Sequence, residues 1–414
     1  MKKEFYVGNR KKLVDSMTKG SLFVAFSGKI LRQSADATYS FFANRNFVYL
    51  TGLSRENFVL VIEKTETVKE TIYILPNDMM AERWNGKRLT PNEVEEISGI
   101  ENIKTADKFY SDFHGLTISG LYKNLYLDLY KCSVEDNDLQ AHTFSKYVTT
   151  NYPQYTVIDA FPQLKTQRTI KAPCEIEAMR EAVKITRAGI LAMMKASRPG
   201  MYEYQYKAEF DRALAWNGVL TPAFHSIISA GKNNFCIHYD AYSGKAEDGD
   251  MILNDVGAQY DNLVNDVSRG WPANGKFNEL QRKVYTVAYE TSEHMFATIK
   301  PGMPMADVDR LSREFCAEKL VEAGILDKVE NCRKYIWHGG AHHIGYDVHD
   351  LVDYSMPVTA GMVFCVDVGI YCEDLGIGFR LEDNCLVTEN GCENLTASIP
   401  RSIEEIEKTM ANRD

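Results

Sequence analysis

Two stretches in the second half of the chain share one pattern and decide the fold: GDMILNDVGAQYDNLVNDVSR at 249–269 and AGMVFCVDVGIYCEDLGIGFRLEDN at 360–384. In each stretch an apolar strand follows a glycine, continues through Asp-Val-Gly to a tyrosine, and returns through a turn and a second strand. The repetition predicts a domain whose two halves are related by a pseudo-twofold axis. Each half would contribute one β-hairpin to a shared site.

The first hairpin places two acids on one face. If Asp261-Asn262 is a two-residue turn, Tyr260 lies opposite Leu263, and Asp255 becomes a diagonal neighbour of Asp266. Carboxylates at that spacing repel one another unless a cation lies between them. The pair therefore indicates a cation site, and the alternative is two solvated acids beside a turn.

The second hairpin repeats the arrangement. With a four-residue turn at 374–377, Gly369 lies opposite Glu382, and Asp367 is the diagonal neighbour of Glu382. Both hairpins thus offer two acids on one face, which makes coincidence a weaker explanation for either of them.

A histidine-rich stretch, HGGAHHIGYDVHD at 338–350, holds four of the nine histidines of the chain. Neutral imidazole is the commonest nitrogen ligand of transition metals. Four acids with one or two histidines suit a two-metal hydrolytic centre, in which carboxylates bridge the ions. Oxygen-rich ligation favours Mn²⁺, Co²⁺ or Fe²⁺ over a structural zinc site, which would use thiolates.

Composition excludes several classes of protein. The chain has 414 residues and a net charge of −10, which disfavours a nucleic-acid partner. No apolar run is long enough to span a bilayer, and charges interrupt the N-terminal MKKEFYVGNRKKL, so we expect a cytoplasmic protein without a membrane partner. Nine cysteines without a C-x-x-C pair indicate buried free thiols in a reducing compartment.

The pattern of strands and helices predicts two domains. Residues 1–160 read as an α/β domain with strands in SLFVAF, NFVYLTG, FVLVIE and ETIYILP. Residues 161–173 contain Pro162 and Pro173 and are predicted to be a linker. Residues 174–414 read as a larger α+β domain that starts with a long amphipathic helix.

The sequence resembles the pita-bread metallopeptidases and, within them, the aminopeptidase P (Xaa-Pro aminopeptidase) family. The resemblance covers most of the chain and is strongest in the catalytic half. The matching stretches are ADATYSFFANRNFVYLTG at 35–52, AERWNGKR at 81–88, TIKAPCEIEAMREA at 169–182, CIHYD at 236–240, LNDVGAQYDNLVNDVSRGWPANGKF at 253–277, HGGAHHIGYDVHD at 338–350, GIGFRLEDN at 376–384 and ENLT at 393–396.

The resemblance implies a C-terminal pita-bread domain, preceded by a smaller α/β domain, with two divalent ions at its centre. Mn²⁺ is the ion expected first, and Co²⁺, Fe²⁺ and Zn²⁺ are alternatives. Asp266 and Glu382 would bridge the ions. The complete set of implied metal ligands is Asp255, Asp266, His342, Asp367 and Glu382.

Further roles come from the same resemblance. Histidines matching His238, His338 and His349 contact the substrate or stabilise the tetrahedral intermediate in the family, and Asp367 would move a proton toward the leaving nitrogen. Arg380 matches an arginine beside the bridging glutamate, and Trp84 matches a tryptophan near the proline pocket. In contrast, His343 matches no family histidine and is expected to be a packing residue or to lie behind the ligands.

One departure concerns a ligand. The family has Glu-Pro where this chain has Asp367-Val368, so the carboxylate reaches about 1.5 Å less far. We therefore expect the ion held by Asp367 to bind more weakly than it would to a glutamate.

The sequence thus predicts a dinuclear-metal exopeptidase that releases the N-terminal residue from peptides with proline in second position. The alternatives are a prolidase, which cleaves only dipeptides, a metal-free creatinase-like hydrolase, and a non-catalytic relative on the same fold. The YLTG and AERWNGKR stretches favour aminopeptidase P over prolidase. The family also implies a homodimer or a dimer of dimers.

Overall fold

A computed structural model describes residues 1–412. The chain divides into two compact units, Met1–Gln167 and a second unit that begins at Arg168. The division falls inside a helix, Phe161–Thr169, which occupies most of the segment predicted as the linker. No helix among residues 1–412 is long and apolar enough to cross a membrane.

The first unit is built on a six-stranded mixed sheet with helices packed against it. The strand order is β6-β5-β4-β1-β7-β8, with β1 antiparallel to β4 and parallel to β7. Its elements are α1 (Lys3–Ser16), β1 (Ser21–Phe26), β2 (Arg32–Ser34), β3 (Ala37–Thr38), α2 (Arg45–Thr51), β4 (Val59–Lys64), β5 (Val68–Ile74), α3 (Met79–Asn85), α4 (Pro91–Ser98), β6 (Asn102–Thr105), α5 (Phe109–Ile118), β7 (Asn124–Leu127), α6 (Gln140–Asn151), β8 (Thr156–Asp159) and α7 (Phe161–Thr169).

One predicted strand of this unit is wrong, because NFVYLT lies in helix α2. The Asn44 side chain accepts a hydrogen bond from the Phe47 N–H and begins the helix, and Gly52, with φ 73°, ends it. All seven helical residues are buried, so the segment shows no polar face. A short, continuous apolar run shows neither the helical nor the strand periodicity, so periodicity does not distinguish a helix from a strand here. The capping residues at its two ends favour the helix.

Within residues 168–412 the second unit carries three antiparallel sheets, one of them only two-stranded, flanked by four long helices. Its elements are α8 (Pro173–Ala196), α9 (Glu203–Trp216), β9 (Ile227–Ala230), β10 (Met251–Val256), β11 (Gln259–Tyr260), β12 (Leu263–Val264), β13 (Val267–Pro272), α10 (Glu279–Thr298), α11 (Met305–Glu322), β14 (Ala341–His343), β15 (Val363–Cys372), β16 (Ile377–Val387), β17 (Cys392–Asn394) and α12 (Ile403–Ala411).

The two predicted hairpins lie in different sheets that pack against each other. The strand orders are β13-β10-β9 and β14-β15-β16-β17. A methyl group on Gly270 of β13 would lie 2.6 Å from the Phe379 Cβ of β16, so only a glycine allows these strands so close together. The buried Tyr285 ring of α10 stacks on Phe379 with 5.1 Å between centroids. This packing brings the inner faces of both hairpins to one place.

The register of the first hairpin is confirmed, and that of the second is corrected. Tyr260 lies opposite Leu263, and Asp255 lies opposite Ser268, two residues from Asp266. In the second hairpin, however, Asp367 lies directly opposite Glu382. The turn begins one residue earlier than predicted, because Glu373–Leu375 forms a short 3-10 turn that Gly376 ends with φ 68°.

Candidate metal centre

Five side chains from four strands and one connecting segment meet inside the second unit. Asp255 comes from β10, Asp367 from β15, Glu382 from β16 and His342 from β14, while Asp266 directly precedes β13. The four carboxylate side chains are buried or nearly so, that of Glu382 being 2% exposed, whereas the His342 side chain is 24% exposed. The His342 Nε2 lies 3.2 Å from a Glu382 oxygen and 3.6 Å from an Asp266 oxygen.

The carboxylates of this group lack the partners that buried acids require. One oxygen each of Asp255, Asp266 and Asp367 is buried without a hydrogen-bond partner among the described residues. Burial and the neighbouring carboxylates raise the pKa of Asp266 and of Asp367 well above the usual range. A divalent cation would occupy the orphaned oxygens and remove the repulsion, so the donor set fits a metal ion.

Glu382 is the exception among these acids. Burial by itself would raise its pKa, but hydrogen bonds from His342 and Ser268 outweigh burial and lower the pKa to about 2. The Ser268 hydroxyl donates to the Glu382 Oε2 at 2.7 Å. Glu382 is therefore held as an anion at the middle of the group, as a bridging ligand requires.

Arg380 is the guanidinium in contact with the group. It donates to Asp255 at 2.7 Å, to the Tyr371 hydroxyl at 3.0 Å and to the Ile237 carbonyl at 3.1 Å. Tyr371 also lies 2.9 Å from the His338 Nε2. The sequence did not indicate Tyr371, although it is the tyrosine of the repeated pattern and follows Asp367 by four positions, on the same face of β15.

The three other histidines occupy different positions around the acids. The His338 Nδ1 lies 2.8 Å from the Gly339 carbonyl oxygen and 3.3 Å from an Asp367 oxygen. The His349 ring contacts the His342 ring edge-on with 4.4 Å between centroids. Burial lowers the pKa of both His338 and His349. The His238 side chain is exposed and lies on the loop after β9.

Trp84 and His343 are two further residues that the sequence singled out. Trp84 belongs to helix α3 of the first unit and is 82% exposed. Its part in a proline pocket stays a prediction. His343 is buried, its two ring nitrogens have no hydrogen-bond partner among the described residues, and burial lowers its pKa to about 3. These properties agree with a packing residue.

Cys365 joins the centre although the sequence indicated only a buried thiol. Its sulfur and ligand atoms of Asp266, His342 and Glu382 all lie within 4.8 Å of one another. All nine cysteines are free, as predicted, but the prediction that they are buried holds for only four of them, and Cys132 and Cys236 are exposed. Strand alternation could have found this one, because Cys365 precedes Asp367 by two residues and shares its face of β15.

Comparison with known proteins adds the family. Residues 177–389 match metallopeptidase family M24, and residues 6–122 match the aminopeptidase P N-terminal domain. The chain belongs to metallopeptidase family M24. The Xaa-Pro aminopeptidase of Haemophilus influenzae is 30% identical over 428 residues, which cover 99% of this M24 chain and 97% of the relative.

Solved structures of Escherichia coli aminopeptidase P match the whole M24 chain. The complex with the inhibitor Pro-Leu has a TM-score of 0.91 at 29% identity, and the zinc-substituted enzyme with product has 0.91 at 28%. Each comparison covers 100% of this chain and 99% of the other. The predicted fold, a pita-bread domain preceded by a smaller α/β domain, is confirmed, and the protein is a metallo-aminopeptidase of the aminopeptidase P type.

Proposed function

We propose that this M24 enzyme releases the N-terminal residue from peptides with proline in second position and uses two divalent ions to do so. The observation that carries the proposal is the group of buried carboxylates whose oxygens lack partners. Relatives that align over nearly the full chain are named Xaa-Pro aminopeptidase, which supports the choice of substrate. The ligands would be Asp255, Asp266, His342, Asp367 and Glu382.

Charge supports two ions over one. Four carboxylates against the Arg380 guanidinium leave three formal negative charges, which a single divalent ion does not neutralise. When bound, the ions would lower the pKa of a water molecule toward neutrality and polarise the scissile carbonyl. Oxygen-rich ligation favours Mn²⁺, with Co²⁺, Fe²⁺ or Zn²⁺ as alternatives.

The protein groups around the ions would handle protons and developing charge. The second oxygen of Asp367 lies near the His338 Nδ1, at 3.3 Å, so this pair can pass a proton toward the leaving proline nitrogen. His349 and His238 would donate hydrogen bonds to the oxygen of the scissile carbonyl as it gains charge. Arg380 keeps Asp255 in place through its 2.7 Å hydrogen bond.

Selection of proline requires a pocket for a tertiary amide, which has no N–H to donate. The candidates for its wall in the second unit are His338, His349 and Arg380. A cytoplasmic location stays a prediction, as does a homodimer or dimer of dimers, which the resemblance implies.

The proposal is tested by comparing kcat/KM for a panel of four peptides. We expect kcat/KM for Gly-Pro-Ala and Arg-Pro-Pro, measured with added manganese, to exceed that for Gly-Pro at least about tenfold. That ratio corresponds to about 1.4 kcal/mol of transition-state binding. Gly-Ala-Ala is the control for proline, and we expect it to be the poorest tripeptide. Faster cleavage of Gly-Pro than of both proline tripeptides would assign the enzyme to the prolidases.

The shortened ligand gives a second prediction. Calorimetric titration of the wild-type enzyme with manganese should show one tight and one loose ion, because the Asp367 carboxylate reaches about 1.5 Å less far than a glutamate. Asp367→Glu should tighten the loose site about tenfold, within the range by which groups around a metal tune its affinity. Asp367→Asn keeps the length and removes the charge, so it should weaken that site. Two equally tight sites in the wild type would refute the argument.

A further inference from the structure

Glu203 is a fully buried acid outside the candidate metal centre. It is the first residue of α9, and its exposed fraction is 0%. A buried carboxylate is costly unless its oxygens accept hydrogen bonds or meet a cation. Among the described residues no lysine, arginine or histidine forms an ion pair with Glu203, so hydrogen bonds must hold it.

The hydrogen bonds all come from one short segment. Oε1 accepts from the Ala230 N–H and the Asn233 side-chain amide, both at 2.8 Å. Oε2 accepts from the Tyr239 hydroxyl at 2.7 Å and from the Gly244 N–H at 2.6 Å. Glu203 thus joins the end of β9, the 3-10 turn Gly231–Phe235 and the loop that follows, which carries His238.

The segment is closely packed where Glu203 holds it. A methyl group on Gly244 would lie 2.4 Å from the Asn233 amide nitrogen and 2.6 Å from the Glu203 Oε1. Tyr239 also accepts hydrogen bonds from Asn233 at 3.1 Å and from the Ser243 N–H at 3.2 Å. The residue after His238 is therefore fixed in the loop.

The residue before His238 is fixed from the other side. Arg380, which contacts Asp255, donates to the Ile237 carbonyl at 3.1 Å. In the part of the chain that the structure describes, no hydrogen bond holds the His238 ring itself. The placement of His238 consequently depends on its two neighbours, one held by Arg380 and the other by Glu203.

We propose that Glu203 is a positioning residue that presents His238 to the substrate, an inference that rests on the catalytic role of His238 in the proposed function. An ionised carboxylate suits the task because it accepts at both oxygens and donates nothing. A glutamine has nearly the same shape, but its NH₂ would face two donors. Glu203→Gln therefore releases one pair of the hydrogen bonds while it keeps the packing.

A double-mutant cycle tests the inference. Glu203→Gln, His238→Ala and the double variant are assayed for kcat/KM on the best substrate of the panel, together with metal content. We expect Glu203→Gln to lose about tenfold at unchanged metal content, and the double variant to match His238→Ala within about twofold, because a positioning residue has nothing left to position. Glu209→Gln, on the same helix, is the matched control and should keep wild-type activity.

Two other outcomes of the double-mutant cycle would overturn the inference. If the two single effects multiply in the double variant, Glu203 acts independently of His238 and the inference fails. If His238→Ala retains wild-type kcat/KM, the inference fails together with the role assigned to His238, whereas a substrate other than proline peptides would change only the proposed specificity. Should Glu203→Gln not fold, Tyr239→Phe removes one of the four hydrogen bonds to the same carboxylate, together with the two that its hydroxyl accepts from Asn233 and the Ser243 N–H. Tyr239→Phe combined with His238→Ala should again lose no more kcat/KM than His238→Ala alone. If the two losses in kcat/KM multiply instead, the inference is overturned.

Discussion

Asp266→Ala and Glu382→Ala are each expected to lose both divalent ions and more than about a thousandfold in kcat/KM. Both residues are proposed to bridge the ions, so removing either takes a ligand and a neutralising charge from both. Loss of a single hydrogen-bond donor to a developing oxyanion already costs about 10²–10³-fold in kcat, and loss of the ions should cost more.

Elemental analysis after reconstitution with manganese is the measurement. Glu373→Gln, in the exposed turn of the second hairpin, is the matched control and should bind metal as the wild type does. Metal content equal to wild type in both alanine variants would remove Asp266 and Glu382 from the ligand set.

Asp350→Asn is expected to destabilise the second unit by about 3–5 kcal/mol, the usual consequence of removing one partner from a buried ion pair. The Asp350 side chain is fully buried between Arg168 and Lys171, and the Lys171 Nζ lies 2.8 Å from its Oδ2. An amide in its place leaves the buried Lys171 without the negative charge that compensates it, and leaves the buried Arg168 with Asp347 alone.

The loss of stability in Asp350→Asn should depend on pH. Burial by itself would raise the pKa of Asp350, but Arg168 and Lys171 outweigh burial and lower it. A lowered native pKa contributes stability that is present above the unfolded pKa and is lost as the pH falls through the native value. The full difference should therefore appear at pH 7 and shrink in acid.

Urea unfolding followed by tryptophan fluorescence reports mainly on this unit, because three of the four tryptophans, including the buried Trp271, lie in it. Asp347→Asn is the matched control. Asp347 also pairs with Arg168, at 2.7 Å, but its side chain is 36% exposed, so its loss should cost less than about 1 kcal/mol. Equal midpoints for Asp350→Asn and the wild type would show that the buried pairs add no stability.

Local sequence patterns were enough to predict those features that the residues of a single segment determine. Helix α4 begins at the Thr90 capping box, which the sequence displays as Thr90-Pro91 with Glu93 three residues after the cap. The acid pairs followed from strand alternation, which needs only the strand and its turn. The same alternation gave the wrong partner for Asp367, because the turn of the second hairpin begins one residue earlier than assumed.

Interactions between distant segments could not be read in this way. The rest of helix α9 lies in the sequence between Glu203 and the loop after β9, to which Glu203 is hydrogen-bonded. Asp350 and Lys171 form an ion pair although they are 179 positions apart in the sequence. Burial of a charged residue is a property of the packed structure, and a hydrophilic residue such as Glu203 gives no sign of it in the sequence. Cys365 is a different case, because strand alternation alone places it on the same face of β15 as Asp367.

The two hairpins are far apart along the chain, so the proposed site is completed late in synthesis. The proposed ligands extend from Asp255 to Glu382, with helices α10 and α11 between the hairpins, so the site closes a long loop. During synthesis Glu382, the second acid proposed to bridge the ions, emerges last of the proposed ligands, and the proposed pair of ions would have no complete site before β16 has formed. Once bound, such ions would favour the native chain over any unfolded one by mass action. Metal supply would therefore influence the lifetime of newly made protein as well as its activity.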